Sequence, residues 1–127
     1  GERKGYSVSA SFDNIGGLKA RAPVRSAGVT VGRVKRIRLD PKTFQGVVTM
    51  DIHEDVRFPT DSSAKILTSG LLCDQYVGLE PGADDKELVA GDVIRQTQSA
   101  VVLENLLGQM LLNKAAEAGG GNATNKK

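Results

Sequence analysis

Between Tyr6 and Phe12 the chain alternates strictly: Tyr6, Val8, Ala10 and Phe12 are separated by Ser7, Ser9 and Ser11. Successive side chains of a strand point to opposite faces, so this period of two predicts a half-buried β-strand. A second β region runs from Pro23 to Leu39, and there the alternation breaks. Its apolar positions are Val29 and Val31, then Val34, then Ile37 and Leu39. The first slip falls at Gly32, which predicts a bulge or a sharp bend. Strands that bend midway let a sheet curl on itself, which favours a small barrel over a flat sheet.

The rest of the first hundred residues continues in short pieces. Asp13-Asn14-Ile15-Gly16-Gly17 and Phe58-Pro59-Thr60-Asp61 read as turns, and the segment from Asp40 to Gly46 as a hairpin loop. Val48, Met50 and Ile52 alternate with Val47, Thr49 and Asp51. Ala64 to Thr68, Gln75 to Leu79 and Val93 to Gln96 are further short strands, with a polar loop from Pro81 to Asp92. Close-spaced strands divided by turn signals predict a compact all-β barrel or sandwich. Aromatic residues are only 4% of the chain and Trp is absent, so the core must be built from Val, Ile and Leu. A chain of 127 residues hides roughly two thirds of its unfolded surface on folding, so this core needs no staples.

After Ser99 the period becomes helical. Leu103, Leu106, Leu107, Met110 and Leu111 form one stripe, with Glu104, Asn105, Gly108 and Gln109 off it. Ser99 is a candidate N-cap, and the helix should end near Gly119. The expected division is a remnant linker over 1–5, a barrel over 6–97, a helix over 98–118 and a disordered tail over 119–127. The charged start reads as a cut end, so the chain is expected to be a piece of a longer protein. Full burial of the stripe is worth roughly 8–15 kcal/mol gross. The stripe can pack on its own barrel or against equivalent helices from other copies. Val101 and Leu112 lie on the opposite face, and a helix apolar on two sides favours self-association.

Ser69-Gly70-Leu71-Leu72-Cys73-Asp74 places two adjacent leucines between two strands. A half-buried strand has no use for such a pair, whereas a loop tip can project both side chains together. An apolar tip calls for an apolar partner: another subunit, a membrane or a greasy ligand.

Signs of chemistry are weak. His53, the single histidine, has no ligand-set spacing around it. Cys73, the single cysteine, has no base or orienting group assigned by the sequence, and one cysteine excludes an internal disulfide. Asp84-Asp85-Lys86-Glu87 lacks the spaced oxygens of a calcium loop and reads as solvated. Gly28-Val29-Thr30-Val31-Gly32 is not followed by the Lys-Ser/Thr of a phosphate cradle. No catalytic residue, metal or cofactor is therefore expected, and the chain reads as a binding module, not an enzyme. The basic run Arg33, Lys35, Arg36, Arg38 reads first as a solvated strand face, with lipid head groups or acidic surfaces as possible contacts. A net charge of +2 and scarce aromatics argue against nucleic acid. A nucleic-acid-binding small barrel and a purely structural oligomerisation domain stand as the alternatives.

Three motifs in order resemble the MCE (mammalian cell entry) domain family. They are Phe12 to Leu18; Pro23-Val24 with Ala27 to Val34; and Ser69-Gly70-Leu71-Leu72 with Gln75-Tyr76-Val77 and Leu79. The resemblance runs from about Tyr6 to Leu112. It implies a small β-barrel that assembles as a homohexameric ring, held to the bacterial inner membrane by a preceding transmembrane helix and facing the periplasm. It implies an ABC permease and ATPase as partners, a periplasmic lipid shuttle protein, and phospholipid passing through a central pore. Leu71, Leu72 and Cys73 then line the pore, and Leu103, Leu106, Leu107, Met110 and Leu111 gather at the axis. Cys73 departs from the family pattern, which has glycine after the apolar pair. Glycine reaches backbone angles that strain cysteine, and six such thiols near one axis risk cross-subunit disulfides in an oxidising compartment.

Overall fold

The computed structural model describes residues 4–70, 74–101 and 107–116. Its strands are β1 (Gly5–Phe12), β2 (Pro23–Ser26), β3 (Val29–Leu39), β4 (Gly46–His53), β5 (Ser63–Ser69), β6 (Asp74–Glu80), β7 (Val93–Ile94) and β8 (Gln96–Gln98). A helix, α1, spans residues 107–116. The strands form one sheet in the order β7-β1-β4-β3-β2-β6-β5-β8. β1/β7, β2/β6 and β5/β8 pair in parallel, and the other neighbours are antiparallel.

Closure follows from the last pairings. The two edge strands, β7 and β8, are successive in the chain and separated by Arg95 alone. One short segment therefore leaves β1 and joins β5, and Thr97 Oγ1 donates back to the Ser11 carbonyl at 2.8 Å. The sheet is a nearly closed barrel with its exposed edges largely removed.

β1 places Tyr6, Val8, Ala10 and Phe12 in the core, as the alternation predicts. The β region from Pro23 to Leu39 holds two strands, and the chain folds back between them at Ala27-Gly28. Both turn residues have positive φ (52° and 80°), the geometry of a tight type I′ hairpin. β3 carries two irregularities, one opposite Val24/Arg25 and one at Val34/Arg36. The first makes Val31 the unpaired residue, beside the predicted slip. A Cβ on Gly32 would collide with the Asp51 carbonyl oxygen, so only glycine lets β3 approach β4 there. The second makes Lys35 unpaired and leaves Lys35 and Arg36 both exposed. The phase changes of the apolar pattern are these bulges.

The predicted final strand from Val93 to Gln96 is split at Arg95 and extends to Gln98. The core is mainly aliphatic, with Met50, Ile52, Leu79, Leu88 and Ile94 among its fully buried side chains. Residues 71–73, 102–106 and 117–127 lie outside the described residues, and with them the expected pore residues Leu71, Leu72 and Cys73, the stripe residues Leu103 and Leu106, and the expected helix end and tail. No helix among the described residues is long and apolar enough to cross a membrane.

Candidate functional site

The end of the barrel opposite the chain's first residues is built around the β5–β6 hairpin. Its ladder runs without a break from Ser63↔Glu80 to Ser69↔Asp74. Ala64, Ile66, Val77 and Leu79 are buried, whereas Leu67, Thr68, Ser69, Gly70 and Asp74 are exposed. The hairpin thus outgrows the core. Gly70 has φ +77°, the left-handed conformation that glycine adopts without strain and that begins the connection carrying Leu71, Leu72 and Cys73.

Gln75 fixes the root of this hairpin. Its Oε1 accepts the Gly17 N–H, and its Nε2 donates to Thr68 Oγ1 at 3.4 Å. Gly16 has φ +61°, and a Cβ there would meet Gln75 Oε1 at 2.6 Å and the Ala100 Cβ at 2.9 Å. The Asp13–Leu18 turn therefore lies between the hairpin and the segment that leads toward α1. Asn14 ties the turn together: its Oδ1 accepts the Gly16 N–H at 2.7 Å, its N–H donates to Ser99 Oγ at 3.1 Å, and its carbonyl accepts the Ala100 N–H at 3.0 Å. Ser99, read from the sequence as a helix N-cap, turns its hydroxyl to this loop.

Sequence reasoning missed Gln75 and Asn14 as organising residues. A signal existed for Gln75: it shares the strand parity of core residues Val77 and Leu79, where a long polar side chain needs a partner. Asn14, two residues before Gly16, is a ready Asx-turn former.

In α1, Leu107, Met110 and Leu111 share one side at helical spacing. They are 49%, 58% and 71% exposed, and Leu112 is 71% exposed. None of them belongs to the barrel's core cluster. This part of the stripe is not covered by its own barrel. Leu39 and Phe44, in and beside the β3–β4 loop, and Leu67 on β5 add further exposed apolar side chains at this end.

A cavity of about 240 Å³ beside the hairpin root is lined by Gly17, Lys19, Arg21, Pro23, Asp74 and Gln75, among others. Below it on the outer wall, the Arg25 guanidinium sits 4.8 Å over the Tyr76 ring. Asp40, in the β3–β4 loop, has its carboxyl held below the usual aspartate range, chiefly by the Lys42 N–H. Among the described residues no group of three His, Cys, Asp or Glu could hold a metal. His53 lies at the far end of β4, opposite Gly5. The arrangement presents apolar surface at one end of the barrel.

The family model for the MlaD protein matches residues 4–82. The "Intermembrane phospholipid transport system binding protein MlaD" of Escherichia coli (strain K12) is 52% identical over 112 residues, covering 84% of this chain and 61% of that protein. The chain belongs to the MlaD family. The protein of the same name from Haemophilus influenzae is 48% identical over 114 residues, 87% of this chain and 68% of its own length. Among solved structures, a chain of the Acinetobacter MlaFEDB complex in its ATP-bound Vtrans1 conformation superimposes with a TM-score of 0.79 at 27% identity, over 87% of this chain and 83% of that one. The chain spans 61% of the length of its E. coli MlaD relative. The MlaD match covers β1 to β6 and the hairpin between them, so it contains all three motifs that carried the MCE resemblance.

Proposed function

We propose that this chain is the barrel portion of a phospholipid-binding subunit in a bacterial transport system that moves phospholipid between the inner and outer membranes. In this reading copies of the chain form a homohexameric ring in the periplasm, anchored to the inner membrane through sequence that precedes the barrel. An ABC permease and its ATPase supply the driving force, and a periplasmic shuttle protein exchanges lipid with the ring. Leu71 and Leu72 line a narrow, water-poor passage beside Cys73. Leu103, Leu106, Leu107, Met110 and Leu111 extend that apolar surface along the axis. Acyl chains gain from such a surface without any specific hydrogen bond, so no catalytic group is required.

The observation that carries the reading is the 52% identity to a protein named for phospholipid transport. Two structural features support it. Gln75 and the Asp13–Leu18 turn brace the hairpin that carries the leucine pair, and α1 leaves its apolar side uncovered. The test is Leu71→Asn combined with Leu72→Asn in the full-length protein. The double variant should fold, assemble and stop lipid transfer. Lipid transfer at the wild-type rate overturns the pore assignment. A wild-type ring whose solvent extract contains no phospholipid overturns the lipid role and leaves an oligomerisation module.

A further inference from the structure

The basic run of β3 plays no part in that conduit, and the fold gives it an unexpected coherence. Registers across β3, β4 and β1 set Arg33, Asp51 and Ser7 in one row, Arg36, Thr49 and Ser9 in the next, and Arg38, Val47 and Ser11 in a third. Directly paired residues point to the same side of a sheet. The bulge at Lys35 adds a fourth cation to this outer wall, because it exposes two successive residues instead of one. Arg33, Lys35, Arg36 and Arg38 are all exposed, and none of them forms an ion pair among the described residues. Asp51, the acid facing them on β4, accepts the Ser7 hydroxyl at 2.6 Å.

We infer that this wall binds the phosphate-bearing surface of an anionic phospholipid bilayer. Guanidinium and ammonium groups flanked by hydroxyls are donors suited to phosphate oxygens. The wall lacks what a protein interface needs at its centre. Its one outward large apolar residue, Val47, is already buried, and no aromatic anchor lies among the paired rows. It also lacks stacking rings for single-stranded nucleic acid. The contact is peripheral and reversible, with each cation contributing about fivefold to vesicle partitioning. It is independent of the conduit, because the leucine pair lies in a different hairpin.

The experiment is vesicle flotation of the protein with phosphatidylcholine alone and with about one third phosphatidylglycerol, at about 0.05 M and 0.3 M salt. The wild type should float with the anionic vesicles at low salt only. Lys35→Gln with Arg36→Gln should lower partitioning about 25-fold while the urea midpoint stays in place. Lys65→Gln with Arg95→Gln, on the opposite side of the barrel, removes the same charge and should leave partitioning within about twofold of wild type. Leu71→Asn with Leu72→Asn should float like wild type, which separates this contact from the pore. Equal binding to neutral vesicles, or no binding to anionic ones, overturns the inference. So does an equal loss in the two charge variants. Binding of polyglutamate or single-stranded DNA in place of vesicles also overturns it, by assigning the wall to an acidic protein or to nucleic acid.

Discussion

The two ends of the barrel treat apolar surface in opposite ways. At the end where β1 begins, the chain covers itself. Tyr6 donates its hydroxyl to the Val56 carbonyl at 2.7 Å and accepts the Phe58 N–H at 3.3 Å. Arg57 lies 4.1 Å over the same ring and donates to the Leu88 carbonyl at 2.9 Å, so Leu88 is sealed beneath the loop. Burial pushes the Tyr6 hydroxyl above its usual pKa, outweighing the Phe58 N–H and the Arg57 guanidinium, which both favour the phenolate. The apolar residues left exposed at or near this end are the valines Val29, Val89 and Val93. At the other end the exposed residues are larger: Leu39, Phe44 and Leu67, followed in the chain by Leu107, Met110, Leu111 and Leu112. Scattered exposed apolar residues need no explanation, but large ones gathered at one end and on one helix indicate a partner supplied from outside. One end is finished by local packing, and the other leaves large apolar side chains uncovered.

Substitutions should separate the two regimes. Phe12→Ala removes a fully buried ring from the self-contained part and should cost about 3–5 kcal/mol in urea unfolding. A cost under about 1 kcal/mol would mean the barrel does not depend on its own core. Gly32→Ala forces a methyl against the Asp51 carbonyl and should cost about 1–3 kcal/mol or more, read the same way. A neutral result would show that β3 has room to shift. Gln75→Ala acts at the boundary between the regimes. Losing its bonds to Gly17 and Thr68 should cost about 0.5–1.5 kcal/mol and raise amide exchange at Gly17 while leaving β1 and β4 protected. Uniform loosening would show that the hairpin root is not a separate element.

The partner-dependent region should respond differently. Met110→Ala with Leu111→Ala should change the unfolding free energy of the monomer by less than about 0.5 kcal/mol, yet weaken self-association measured by light scattering. A destabilised monomer with unchanged association would place that face on its own barrel and break the comparison. The smallest effect belongs to the charged loop from Pro81 to Asp92. The Asp61 carboxylate accepts the Asp84 and Ala83 N–H groups and is held below the ordinary aspartate pKa by them; Asp84 is held low chiefly by the Thr60 hydroxyl. A lowered carboxylate pKa contributes stability above the ordinary value and loses it as pH falls through the lowered one. The urea midpoint should therefore drop between about pH 5 and pH 2, and drop less in Asp61→Asn. Identical acid profiles for the two proteins would remove this role.

This loop also shows what composition leaves out. Asp84 to Glu87 reads as solvated, and all four side chains are exposed; four ionisable residues in a row give no local sign of what holds the loop in place. Neighbours 24 to 30 residues away hold it: the Thr60 hydroxyl donates to Asp84 at 2.6 Å, and the Leu88 N–H donates to the Phe58 carbonyl at 2.8 Å. The β1 alternation, by contrast, was sufficient by itself, since Tyr6, Val8, Ala10 and Phe12 needed only one apolar face to settle which side is in. The same holds for the slip near Gly32 and for the helical spacing of Leu107, Met110 and Leu111. Of the candidate site, the sequence located the leucine pair between two strands and missed the side chain that braces them.

The sequence by itself determined the strands, the place where β3 must bend, the apolar stripe and the motifs that mark the family. Each of these is written in spacing over a few residues, and spacing survives without any knowledge of neighbours. Only the tertiary structure decided that the last strand splits at Arg95 to close the barrel, that Gln75 holds Gly17, and that the bulge at Lys35 gathers four cations on one wall. Alternation says which face of a strand is buried but not which other strand it will meet. That choice belongs to long-range packing, where every alternating strand is a candidate partner until the whole core is assembled.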